Sequence, residues 1–290
     1  MKRMRMPSPM VLLLNGGAAL VAAGSLAAVI RSALFAEAVL PCKERYTSAT
    51  RLSLDRNGVA LATGDLQGQL ANSDWGLLKG GRVVKLKSGP AKYALQLDLG
   101  TAPSVVRGTR AEEQPAGIGF SWAPQSFKQP QAACLAYSVY VPEGFAFGQG
   151  GRLPGLVGRS SSPAVDDASA FSTRYTWGPQ GDADIFAHMP DWPEGRSLGV
   201  TSSSGFKLQP GKWTELEQEI LLNTPGRNDG VLRVWQDGKL VLKRTDLVFR
   251  TTASVQLRGV LAQAAAGELP AGTKRGSQKI WLTPFELRWE

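Results

Sequence analysis

The stretch Val231-Leu232-Arg233-Val234-Trp235-Gln236-Asp237-Gly238-Lys239-Leu240-Val241-Leu242 sets the fold class. Two β-patterned runs flank Asp237-Gly238, a dipeptide that tolerates positive φ and so closes a two-residue hairpin with the twist paired strands need. Upstream, Asn223-Thr224-Pro225-Gly226 and Asn228-Asp229-Gly230 bracket a tight loop made of turn-forming residues. Farther back, Leu135, Tyr137, Val139 and Val141 alternate with Ala136, Ser138 and Tyr140 until Pro142-Glu143-Gly144 turns the chain. That period of two is the period of a strand. Ile280 to Trp289 reads as a closing strand. From about Tyr46 onward such runs recur between Gly, Pro, Asn and Asp clusters, and no helical period lasts beyond about three turns. The pattern predicts an all-β fold, a jelly-roll two-sheet β-sandwich over residues 43–290, with no internal repeat and no linker to divide it. The chain of 290 residues is 43% hydrophobic, enough for a sizeable core, and its 33 Gly and 18 Pro supply the turns.

Residues 1–42 read differently. Lys2, Arg3 and Arg5 precede a mostly apolar run over residues 11–30. Positive then apolar is the signature of an export signal, and a run of this length equally suits an uncleaved anchor in the inner membrane. Ala36-Glu37-Ala38 offers a cleavage site, so cleaved signal peptide and membrane anchor both stand. Either way the body is expected outside the cytoplasm, periplasmic or extracellular. In such an oxidising compartment Cys42 and Cys134, the two cysteines of the chain, are expected to bridge; the alternative is a pair of buried thiols.

Net charge is +9, of which +3 lies in the first 42 residues, so the body is itself basic. A basic surface attracts polyanions, and export argues against nucleic acid as the partner. One histidine and two cysteines cannot furnish a zinc site, and no nucleotide-binding loop is present, so neither metal nor cofactor is expected.

The candidate chemistry lies between Phe145 and His188. In Phe171-Ser172-Thr173-Arg174-Tyr175-Thr176 the alternation puts Ser172, Arg174 and Thr176 on one face and Phe171, Thr173 and Tyr175 on the other. In Asp184 to Met189 the apolar Ile185, Ala187 and Met189 oppose Asp184, Phe186 and His188. Were the two strands neighbours, Ser172, Arg174, Phe186 and His188 would share one open face. A solvated sheet surface accounts for the same alternation. Trp177 is taken as a residue that stacks on sugar, against the ordinary fate of a tryptophan in a core.

The chain resembles polysaccharide lyase family 14, whose members include alginate and glucuronate-cleaving enzymes with a β-jelly-roll fold. The resemblance rests on Gly150-Gly151-Arg152-Leu153-Pro154-Gly155-Leu156, Phe171-Ser172-Thr173-Arg174 and Gly211-Lys212-Trp213. It continues through Leu222-Asn223-Thr224-Pro225-Gly226, Asp229-Gly230 and Trp235-Gln236-Asp237-Gly238. Ser172 and Arg174 match the family pattern, whereas Arg152 stands where the family has lysine, and Phe186 and His188 stand where it has two tyrosines. The resemblance implies an acidic, uronate-containing polysaccharide as partner, bound in a basic groove and cleaved by β-elimination. That chemistry asks for neutralisation of the uronate carboxylate, removal of the C5 proton and protonation of the leaving oxygen. Arg152 and Arg174 suit the first task, with Ser172, Phe186 and Trp177 as further contacts. His188 suits the second, because arginine stays charged and histidine titrates near neutrality. Tyr140 or Tyr175 is a candidate donor for the third, although alternation turns Tyr175 to the core. The alternative is a non-catalytic carbohydrate-binding or envelope protein on the same fold.

Overall fold

The computed structural model describes residues 39–70, 74–99, 117–160, 170–199, 206–267 and 278–290. The apolar segment 11–30 and the candidate cleavage site at 36–38 lie outside them. Among the described residues no helix is long and apolar enough to cross a membrane.

The strands, in chain order, begin with β1 Ser48–Arg51, β2 Asp55–Arg56, β3 Val59–Ala60, β4 Asp74–Trp75, β5 Gly81–Lys85, β6 Tyr93–Asp98 and β7 Gly117–Trp122. They continue with β8 Ala132–Tyr140, β9 Gly151–Ser160, β10 Phe171–Trp177, β11 Ala183–Met189, β12 Trp192–Ser197 and β13 Trp213–Leu221. The last are β14 Gly230–Gln236, β15 Lys239–Leu247, β16 Val255–Ala266, β17 Lys279–Leu282 and β18 Glu286–Trp289. Two short helices, Thr63–Gln67 and Leu77–Gly80, complete the fold. One sheet runs β12-β11-β10-β9-β16-β7-β4, the other β15-β14-β13-β8-β17-β6-β5 with β18 pairing β8 and β1. Sheet neighbours such as β9 and β16 are far apart in the sequence yet hydrogen-bonded, the crossed connectivity of a jelly roll.

The hairpin that set the fold class forms as its dipeptide requires: Asp237 has φ 50° and Gly238 φ 77°, the doubly positive pair of a type I′ turn. The closing strand is interrupted. It divides into β17 and β18 around Thr283-Pro284-Phe285, since Pro284 has no N–H to give the ladder. The alternation in β8 is also masked, because Ala132 to Val139 are buried on both faces. The inner face holds the core, and the outer face lies under the entry segment Cys42 to Tyr46. Cys42 and Cys134 are disulfide-bonded there, with Cα atoms 5.7 Å apart. A row of acids on β13 receives the same segment. Glu215 accepts from Lys43 at 2.8 Å, and Glu219 accepts from Arg45 at 2.5 Å, Tyr46 at 2.6 Å and Arg233 at 2.6 Å.

The two sheets meet through Leu135, Tyr137, Leu216 and Ile220 on one side and Leu153, Leu156, Phe171, Tyr175 and Ile185 on the other. The rings of Tyr137 and Tyr175 pack edge-on at 6.0 Å, and the Tyr137 hydroxyl donates to the Pro154 carbonyl at 2.9 Å. Gln218 reaches across from β13: its Oε1 accepts from the Leu156 N–H and the Thr173 hydroxyl, each at 2.9 Å. Buried polar groups hold position because leaving them unpaired is costly, so these contacts fix β9 and β10 from beneath.

Candidate active site

Strands β10 and β11 are antiparallel neighbours, with Ser172 opposite His188 and Arg174 opposite Phe186. The even-numbered residues of both strands therefore share the outer face, and Ile185, Ala187 and Met189 are buried on the other. On the far side of β10, Thr176 pairs with Arg152 and Arg174 with Gly155. Arg152, Ser172, Arg174, Phe186 and His188 are thus assembled on one open face by register alone.

Arg174 is only 7% exposed. Its Nη1 donates to Gln263 Oε1 on β16 at 2.6 Å, and its Nε is buried with no acceptor among the described residues. Between the two strands lies β9, and the residue opposite Arg174 there is Gly155, which has no side chain on the outer face to block the guanidinium. A Cβ at Gly155 would lie 1.6 Å from the Thr173 carbonyl oxygen, so no other residue fits the bulge that forms around Pro154. Burial, and then the charge of Arg152, lower the Arg174 guanidinium to about 10, which still leaves it cationic at neutral pH.

Most arginines on and beside the second sheet have carboxylate partners: Arg45 and Arg233 with Glu219, Arg51 and Arg288 with Glu286, Arg244 with Asp246, all within 3.0 Å, while Arg82 on β5 donates to Gln96. By contrast, Arg152, Arg159, Arg174 and Arg258 on the first sheet have none among the described residues. An unpaired buried cation is the arrangement of an anion site awaiting its ligand.

His188 is half-buried beside Phe186, with ring centroids 5.2 Å apart. Its Nδ1 lies 3.2 Å from the Pro193 carbonyl oxygen. A carbonyl only accepts, so this contact puts the proton on Nδ1 and leaves the Nε2 lone pair free. Gly195 of β12, at φ +77°, presses on the pair: a Cβ there would be 2.5 Å from Phe186 and 2.7 Å from His188. A cleft of about 270 Å³ opens beside His188 and Ser172, walled by Val157, Met189, Pro193 and Leu261, and reaching Arg159.

Trp177 is corrected. It shares the core-facing parity of Phe171, Thr173 and Tyr175, is 4% exposed, packs where Gly151 has no side chain, and donates its indole N–H to the Phe147 carbonyl at 3.2 Å. It cannot stack on a sugar. Neither candidate tyrosine reaches the face: Tyr175 is core, and Tyr140 packs against Trp213 and Trp281 in the other sheet. Gln263, Arg159 and Arg258 were not anticipated. For Arg258 and Gln263 the signal is a parity slip in β16, where polar residues move from even positions (Gln256, Arg258) to an odd one (Gln263) across Gly259, a glycine inside a strand.

A two-sheet jelly roll whose one open sheet carries uncompensated arginines beside a free imidazole is a carbohydrate-binding scaffold of the lyase type. The chain belongs to the polysaccharide lyase 14 family, whose model matches residues 104–269. A search of curated proteins returns no match. Among solved structures, the marine alginate lyase from Aplysia kurodai is similar at 22% identity and TM-score 0.61, over 84% of this chain and 99% of that one. An alginate lyase from Chlorella virus is similar at 20% identity and TM-score 0.62, over 83% and 99%. The endo-β-1,4-glucuronan lyase from the fungus Trichoderma reesei is similar at 11% identity and TM-score 0.51, over 76% and 91%. At these identities the likeness establishes the fold.

Proposed function

We propose that this is an exported protein that binds a uronate polysaccharide across the open sheet and cleaves it by β-elimination at His188. The observation that carries the reading is Arg174, a buried guanidinium without a carboxylate, held two residues from Ser172 and one strand from His188. Arg174 and Arg152 take the uronate carboxylate and stabilise the charge that spreads into it when C5 loses its proton. The free Nε2 of His188 accepts that proton. The C5 electron pair forms the C4–C5 double bond as the C4–oxygen bond breaks, and the departing oxygen takes up a proton from the imidazolium or from water. Ser172, opposite His188, offers a hydroxyl to the same sugar. The names of the structural relatives support alginate or polyglucuronate as substrate class, and the disulfide supports an oxidising compartment.

The test is incubation with alginate and with polyglucuronate, following the ultraviolet absorbance of the unsaturated product. His188→Ala should lower the rate by roughly 10²- to 10⁴-fold. An active wild type indifferent to His188→Ala overturns the base assignment. The second reading, a binding protein without activity, is favoured by Arg152 and Phe186, which cannot exchange protons near neutral pH. A wild type that binds these polymers but cleaves none establishes it.

A further inference from the structure

The open face carries cations at two places, and the site proposed above uses one of them. Along β9 the outward residues run Arg152, Gly155, Val157 and Arg159, because the Pro154 bulge resets the alternation once. Arg159 is exposed and lies across from Gln256 of β16. Two residues on, β16 bulges: Leu257 pairs with Gly158 and Gly259 with Val157, leaving Arg258 as the extra residue, with Gly259 at φ +101°. A bulge re-aims the side chain it inserts, and here it brings Arg258 beside Arg159, its Nε 3.4 Å from the Arg159 carbonyl oxygen. Neither guanidinium has a carboxylate partner among the described residues. The cleft beside Ser172 and His188 is lined by Arg159 as well, together with the apolar Val157 and Leu261. Read along the strands, the face presents Arg152, then Arg174 level with Gly155 and Leu261, then Ser172 and His188 level with Val157, and then Arg159 with Arg258.

We propose that Arg159 and Arg258 form a second carboxylate subsite, for a uronate unit farther along the same chain as the one held by Arg174. This rests on the uronate reading of the first site and adds to it the direction and length of the ligand. Gly155, level with Arg174, and Arg159 are four residues apart on one strand, roughly 13 Å at strand rise. One sugar ring cannot span that. The ligand is an oligomer laid along β9, with its apolar ring faces over Val157 and Leu261 and a charged carboxylate at each end.

The test compares the affinity of wild type, R159Q/R258Q and R174M for uronate monomer, short oligomers and long oligomers, by calorimetry on the whole protein. Wild-type affinity should rise steeply once the oligomer is long enough to reach from Arg174 to Arg159. R159Q/R258Q should abolish that rise, weakening long oligomers roughly tenfold or more while leaving the shortest unchanged, whereas R174M should weaken all lengths. A control that removes two exposed charges from the other sheet, K239Q/K243Q, should bind as wild type does. Equal weakening by the control, or an R159Q/R258Q protein that keeps the full length dependence, overturns the subsite while the first site stands. A wild type that binds no uronate of any length overturns both. Both arginines lie at the surface, so a thermal melt on the double variant verifies that the fold is retained.

Discussion

Burying a guanidinium against a single amide partner leaves much of its hydration unreplaced, and at Arg174 the charge of Arg152 adds repulsion. The folded state therefore disfavours the charged form, and the cost is present at all pH values where Arg174 is charged and is relieved as pH rises through about 10. A carboxylate from the ligand reverses the balance. Two consequences can be measured. Arg174→Met, close to Arg174 in length and without its charge, should keep or raise the melting temperature while lowering uronate affinity roughly ten- to hundred-fold. Binding to the native protein should also weaken as pH rises through about 10, where an ordinary guanidinium is still charged. A variant that loses stability in step with affinity would mean that Arg174 supports the fold instead. Arg152 fits the same balance of charge: an arginine gives a permanent fork for a carboxylate and gives up proton transfer, so the proposed elimination draws its base from His188.

At the scale of elements, what the sequence made legible was what period two controls. Ser172, Arg174, Phe186 and His188 share a face because strand parity allows nothing else, and the same parity, applied to Trp177, places it with Phe171 and Tyr175 in the core. Partners brought by β16 were not legible, since Gln263 meets Arg174 across a third strand and Arg258 is aimed by a bulge that shifts parity at Gly259. The same limit applies at Pro284, where one apparent strand is two. Strand β12 had no reading at all, yet it sets the imidazole: Pro193 orients its tautomer and Gly195 lies against its ring. Gly195→Ala should therefore push on Phe186 and His188 and strain a backbone at φ +77°. The expected result is a fall in kcat of about tenfold or more with affinity for short uronate oligomers unchanged, because Arg174 and Arg152 lie two and three strands from β12. An equal fall in affinity would show that β12 contributes to binding and does not act through His188.

For the whole molecule, the two sheets divide the labour. Most arginines of one meet carboxylates and its acids hold down the entry segment; Arg152, Arg159, Arg174 and Arg258 of the other meet none among the described residues, as the proposed ligand requires. Glu217 illustrates the first arrangement: burial raises its carboxyl, the Lys43 backbone and side chain oppose that, and it sits beside the Cys42–Cys134 bridge. The disulfide closes a separation of 92 residues and keeps Lys43, Arg45 and Tyr46 over the β13 acids. Without it the segment must hold by its three ion pairs to Glu215, Glu217 and Glu219, whose cations are part-exposed, by the Tyr46 hydroxyl bond and by the pairing of β1 with β18. Reduction, or the Cys42→Ser/Cys134→Ser variant, should cost about 2 to 5 kcal/mol, which for a domain of this size lowers the melting temperature by roughly 5 to 15 °C. Uronate affinity below the new midpoint should not change, because the strap covers the outer face of one sheet and the cationic cleft lies on the outer face of the other, with the core between them. A melting point insensitive to reductant would show that the acid row alone secures the segment. A loss of affinity at temperatures where the reduced protein is still folded would show that the sheets are coupled, and Gln218, which spans from the strapped sheet to Leu156 and Thr173 beneath the site, is the residue through which that coupling would run.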